Sequence, residues 1–193
     1  MNQRAWILLV LIAGCTSTPQ PHDPPASVAA PSFETGPGPY SLDWDVTSGR
    51  YRETSLHVPG RTFTVKGLIQ FAGVASNRKW APMASVDLMG PTESYEVGFE
   101  AFVLDENPGK IQFALRNGLF GTVRDVTFAQ ADFSDKWTPF ELKLYKTGEL
   151  NVSVAGDTGA NVSVRPFEIT RVRVLVSTGH VRFSNITITA SGE

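Results

Sequence analysis

The chain has 193 residues, a single cysteine and a formal net charge of -2, with acids and bases interspersed. One cysteine excludes an intramolecular disulfide, so any domain must hold itself together by its core. A domain of about 150 residues can do that, burying roughly 70% of its unfolded surface. A near-neutral, unclustered charge excludes nucleic-acid binding through a basic stripe and gives no reason to expect a polybasic membrane patch.

In chain order, Arg4 precedes an unbroken apolar run from Ala5 to Ala13. The run is short against the roughly 20 apolar residues a membrane-spanning helix needs. A short apolar run behind a positive charge fits a secretory signal peptide. It ends in Leu11-Ile12-Ala13-Gly14-Cys15, which resembles the lipobox of bacterial lipoproteins: an aliphatic residue, two small residues, then the cysteine. The resemblance implies removal of residues 1–14, lipidation of the Cys15 thiol, and a palmitate-bearing anchor in the membrane. Two or three acyl chains hold a protein to a bilayer durably. Thr16 follows the cysteine, and the sorting pattern of such lipoproteins then implies the outer membrane in a Gram-negative envelope. An ordinary cleavage site at Val28-Ala29-Ala30 lies far from the apolar run and precedes Pro31.

Residues 15–39 carry the lipidated cysteine and Pro19, Pro21, Pro24, Pro25, Pro31, Pro37 and Pro39, with Phe33 as almost the only large apolar residue. Such a segment cannot bury enough surface to fold alone. It reads as a disordered, extended tether reaching on the order of 70 Å at 3.1 Å per residue.

From 40 to 193 the pattern changes to period two. Phe63, Val65, Gly67, Ile69 and Phe71 share one face; Tyr95, Val97, Phe99, Ala101 and Val103 share another. Ile111-Phe113-Leu115, Phe140-Leu142-Leu144 and Leu150-Val152-Val154 follow, the last two joined by the turn Lys146-Thr147-Gly148-Glu149. Val172, Val174 and Val176 lead to Val181 and Phe183, where the alternation slips before Ile186 and Ile188. A β-bulge near Ser184-Asn185 would return those two to the core face. The stretch lacks a 3.6-residue apolar period and a fixed internal repeat, so the pattern predicts an all-β antiparallel sandwich.

Phe63-Thr64-Val65-Lys66-Gly67, Trp137-Thr138-Pro139-Phe140-Glu141-Leu142 with its hairpin to Gly156, and the closing Val181–Ile188 strand resemble concanavalin A-like, laminin G-like jelly rolls. The resemblance implies a sugar-binding or sugar-cleaving fold, and calcium as the one realistic ion, with Asp105, Glu106 and Asn107 as an oxygen-rich loop that could ligate it. No other cofactor is expected, and the histidines His22, His57 and His180 bring neither a zinc cluster nor a nucleophile elbow.

Glu96 and Glu100 lie on the non-core face of one strand with Gly98 between them. Jelly-roll glycosidases set carboxylates along a strand as Glu-x-Asp-x-Glu, one acid attacking and the other protonating the leaving group. Gly98 stands where the central Asp would be, which argues against catalysis. Trp80 and Tyr145 could stack on a sugar, with Glu96, Glu100, Gln112 and Arg116 as polar contacts, while Trp44 and Trp137 read as core or edge packing. The leading expectation is a membrane-anchored, non-catalytic module for a glycan or cell-wall polymer. A structural or assembly lipoprotein docking an envelope protein is the alternative, with a glycoside hydrolase behind both.

Overall fold

The computed structural model describes residues 38–74, 81–92, 95–118, 126–156 and 158–191. The signal segment, Cys15, His22, most of the Pro-rich segment and Trp80 lie outside the described residues.

The described chain forms ten strands and no helix: β1 (Tyr40–Gly60), β2 (Thr62–Gly73), β3 (Met83–Met89), β4 (Glu96–Phe102), β5 (Lys110–Asn117), β6 (Val126–Asp132), β7 (Thr138–Leu144), β8 (Glu149–Val154), β9 (Thr158–Ser163) and β10 (Ile169–Ser191). All pairings are antiparallel. Two strands are exceptionally long, β1 at 21 residues and β10 at 23, and β1 pairs from end to end with residues 169–186 of β10, with register shifts on the way. Their first partnership runs from Tyr40↔Ile186 to Val46↔Gly179, their second from Tyr51↔Ser177 to Gly60↔Ile169.

On its other edge β10 is divided. Residues 171–177 pair with β3, and residues 180–191 pair with β2. The sheet order β6-β5-β4-β3-β10-β2-β7-β8-β9 therefore folds over at the middle of β10 into two layers. The front sheet is β6-β5-β4-β3 with the first half of β10 and the second half of β1. The rear sheet is β9-β8-β7-β2 with the other halves. Both long strands turn the corner together: Gly49 has φ 76°, and Thr178 and Gly179 have φ 52° and 132°. The Gly49 amide donates to Thr178 Oγ1 at 3.1 Å, tying the two bends. At the far side β6 and β9 lie side by side, so the sandwich is nearly closed.

The period-two residues fill the space between the layers. Val86, Leu88, Val97, Phe99, Ile111 and Phe113 from the front meet Phe63, Val65, Ile69, Phe140, Leu142 and Phe183 from the rear, all buried. The Phe99 ring lies 5.1 Å from Phe140 and 6.2 Å from Phe113, and Phe140 meets Phe183 edge-on at 6.3 Å. This aromatic chain crosses from sheet to sheet and fixes their spacing. The expected slip in β10 is present: the β10–β2 register shifts between Ser184 and Thr187, and Asn185 has φ 54°. Ile186 thereby returns to the core; Ile188 is only partly buried against it. The expected β7–β8 turn also forms, with Gly148 at φ 84° and its amide on the Tyr145 carbonyl at 2.8 Å. A Cβ there would come within 2.0 Å of the Val164 carbonyl oxygen.

Replacing Phe99 with alanine should cost about 3–5 kcal/mol and lower the melting temperature by on the order of 10 °C. Thermal unfolding followed by near-UV circular dichroism checks this. A change under 1 kcal/mol would mean that the aromatic chain does not hold the layers together.

Candidate functional site

The outer surface of the front sheet is built by parity. On β4, Val97, Phe99 and Ala101 point inward, so Glu96, Gly98 and Glu100 point out. The register then aligns rows across the sheet: Met89 beside Glu96, Asp87 beside Gly98 and beside Arg173 of β10, Ser85 beside Glu100, and Arg116 of β5 beside Gly98. Four strands thus bring Asp87, Glu96, Glu100, Arg116 and Arg173 into one patch.

Asp87 is its centre and is fully buried. Its Oδ2 accepts from Arg173 Nη2 at 2.9 Å and Nε at 3.2 Å, from Ser85 Oγ at 2.8 Å and from Arg116 Nη1 at 3.3 Å. A buried carboxylate is stable only with such partners. Arg116 reaches further, with Nη2 2.7 Å from Glu96 Oε1 and Nε 3.7 Å from Glu100 Oε2. Arg173 Nη2 also lies 3.0 Å from Glu96 Oε2. Burial pushes the Glu96 carboxyl above its ordinary value, helped by the charge on Asp87 and opposed by Arg173 and Arg116.

Gly98 has a steric reason to be glycine. A Cβ there would sit 2.1 Å from the Val86 carbonyl oxygen and 3.0 Å from Asp87 Oδ1. Asp87 on the neighbouring strand is the register partner of Gly98, so its carboxylate lies beside the middle of β4. The Arg116 guanidinium, in turn, contacts both Glu96 and Glu100, so the two acids share one cation.

Of the residues expected to share a ligand face, Glu96, Glu100 and Arg116 come together. Gln112 lies on the same side of β5, four residues from Arg116. Tyr145 does not join them: it follows β7 and projects from the rear sheet, 40% exposed. It directly follows β7, which belongs to the rear layer, whereas Arg116 and Gln112 are on β5 of the front one. Trp137, expected to be packing, is likewise 40% exposed, while Trp44 is buried as expected. Asp87 and Arg173 are the members of this patch that strand parity missed. Asp105, Glu106 and Asn107 are exposed in the β4–β5 turn, where the Asn107 amide donates to the Leu104 carbonyl at 3.2 Å. Among the described residues, three or more His, Cys, Asp or Glu side chains nowhere converge as metal ligands.

The sequence matches no family model and no curated protein. Solved structures do match. The CBM2 module of the evolved Dit protein of Lactobacillus casei BL23 phage J-1 superposes with a TM-score of 0.56 at 11% identity, covering 84% of this chain and 80% of that one. An alginate lyase of Pseudomonas aeruginosa superposes with a TM-score of 0.52 at 14% identity, covering 68% of this chain and 65% of the lyase, just under two thirds of its length. A carbohydrate-binding module from Bacillus subtilis matches at 12% identity and a TM-score of 0.46, over 78% and 92%. The fold is the antiparallel jelly-roll β-sandwich.

Arg173→Met strips Asp87 of its main partner and should destabilise the fold by about 3–5 kcal/mol. The double variant Asp87→Leu/Arg173→Met should lose much less, because no buried charge is left alone. Glu96 behaves differently. Its raised folded-state value means that its ionised form subtracts stability above the carboxylate range, an effect relieved as the pH falls below that value. Glu96→Gln should therefore hold stability at pH 7 to within about 1 kcal/mol. Urea unfolding of the three variants decides, and equal losses for Arg173→Met and Glu96→Gln would refute this account of the network.

Proposed function

We propose that this chain is a glycan-binding module, non-catalytic and held to a bacterial envelope by lipid on Cys15. The observation that carries the binding half is the front-sheet network. Asp87, Glu96, Glu100, Arg116 and Arg173 hold one another in fixed positions, so their outer atoms form a preset array of donors and acceptors. Sugar hydroxyls need such an array, because ordering flexible side chains on binding costs affinity. Support also comes from the fold shared with a CBM2 module and an alginate lyase, which is analogy of fold and not of site. The anchor rests on the lipobox resemblance at Ile12-Ala13-Gly14-Cys15.

A hydrolase is the second reading, and one observation favours it: Asp87 lies beside Gly98, with Glu96 held above its ordinary value as a general acid would be. Against it, Arg116 bonds both Glu96 and Glu100, which leaves neither acid free to act opposite the other.

The test uses the full-length chain in mild detergent, applied to an array of bacterial, plant and algal polysaccharides and to purified peptidoglycan, with and without calcium. Saturable binding without release of reducing ends or unsaturated products is the expected result. Cleavage that Glu96→Gln abolishes would establish the second reading, and a blank screen would remove both. In cells, wild-type protein should sediment with membranes and incorporate labelled palmitate, and Cys15→Ser should do neither. Membrane association unchanged by that substitution would sink the anchor.

A further inference from the structure

The outer surface of the rear sheet carries a second constellation. Register sets Asp43 of β1 beside Arg182 of β10, and Arg182 beside Gln70 of β2. Because Ile69 pairs with Thr138 of β7, Trp137 falls next in the same row. Three neighbouring strands thus contribute a carboxylate, a guanidinium and an amide, and the residue leading into β7 adds an indole. A depression of about 350 Å³ opens among Trp137, Ser41, Asp43, Arg182 and Ser184.

Hydrogen bonds link Asp43 to its neighbours and Gln70 to the chain before Trp137. Arg182 Nε donates to Asp43 Oδ2 at 3.1 Å, and His180 Nε2 lies 2.5 Å from Asp43 Oδ1. These contacts, His180 first, hold the Asp43 carboxyl below its ordinary value. The buried Gln70 amide donates to the Asp135 carbonyl and so fixes the segment leading into Trp137. Among the described residues only Trp137 and Tyr145 are exposed large hydrophobics. An indole left 40% open beside an exposed ion pair presents an apolar face edged by hydrogen-bonding groups.

We propose that this row is a saccharide-binding site, separate from the front-sheet network, and that it takes an uncharged sugar. A pyranose ring has an apolar C–H face that covers an indole, while its rim hydroxyls donate to a carboxylate and accept from a guanidinium. Arg182 is paired with Asp43, Lys136 beside Trp137 follows Asp135, and Asp45 lies next to His180, so the site has no excess positive charge to select a polyuronate. The inference rests on the glycan-binding reading and locates a contact for it.

Calorimetric titration of the full-length chain in mild detergent with cellohexaose, chitohexaose and an alginate hexamer tests it. Wild-type protein should bind at least one neutral hexamer. Trp137→Ala should weaken that binding about tenfold or more, the loss typical of a truncated aromatic anchor. Trp137→Phe should fall between the two, and Asp43→Asn should lose severalfold. The side chain is outside the core, so melting temperatures should stay within about 2 °C of wild type. Neutral-hexamer binding unaffected by Trp137→Ala overturns this site and leaves the glycan-binding reading standing. Binding of the alginate hexamer alone overturns the assignment to an uncharged sugar. A wild-type protein that binds none of the three yet holds other glycans on the array overturns the site, and one that holds no glycan at all overturns both readings.

Discussion

The pairing of β1 with β10 is the constraint on which the molecule depends. Neither strand belongs to one sheet; each supplies half its length to the front layer and half to the rear. The bend at Gly49 and Thr178-Gly179 therefore sets how the two layers face each other. The Thr178 side chain, fully buried, accepts the Gly49 amide, so both strands must bend at one place. Every row of outward side chains takes its position from this shared ribbon, because Arg173 and Arg182 are residues of the same strand on opposite sides of the bend.

The two outer faces then solve different problems. On the front, long charged side chains lie over Asp87 and pair with its Oδ2, producing an interlocked surface of three acids and two arginines. Removing one ion exposes the cost of the rest, as is usual for buried pairs. On the rear, the outward charges fall into separate small groups, Asp43 with Arg182 and His180, and Glu141 with Lys143, and the Trp137 and Tyr145 rings are partly exposed. The long edge of β1 carries Asp43, Asp45, Arg50, Glu53 and Pro59, the charges and proline that discourage strand addition at a sheet edge.

Much of the fold was legible because period-two alternation is strong wherever one face is buried and the other wet. Residues 63–71, 97–103, 111–115, 140–144 and 150–154 all read in this way, and so did the slip at Ser184-Asn185. β1 was harder, because Gly49 interrupts its alternation midway. β3 hid for a different reason: Ser85 and Asp87 are buried on its outer face and Ala84, Val86 and Leu88 on its inner one, so it lacks a wet side. The site was legible only in part for a related reason. Parity places Glu96, Glu100 and Arg116 on the outer sides of their strands, but which strand lies beside which is a long-range fact. Asp87 and Arg173 are 86 residues apart, and nothing local marks them as partners. The same gap put Tyr145 with the wrong layer and hid Trp137, whose neighbours come from β1, β2 and β10.

The position of Tyr40 has a mechanical corollary. The described chain enters the rear sheet at β1, three residues before Asp43, and Trp137 stands three strands away across β10 and β2. If the chain ahead of Gly38 is tethered and a polymer is held at Trp137, tension runs sideways through one layer, along its interstrand hydrogen bonds. Neither the aromatic stack between the layers nor the front ion cluster lies on that path. Backbone bonds loaded lengthwise open one after another, as in a zipper, and do not resist together as they do in shear. A steady pull would then load first the β1–β10 hydrogen bonds, the same pairing that sets how the two layers face each other.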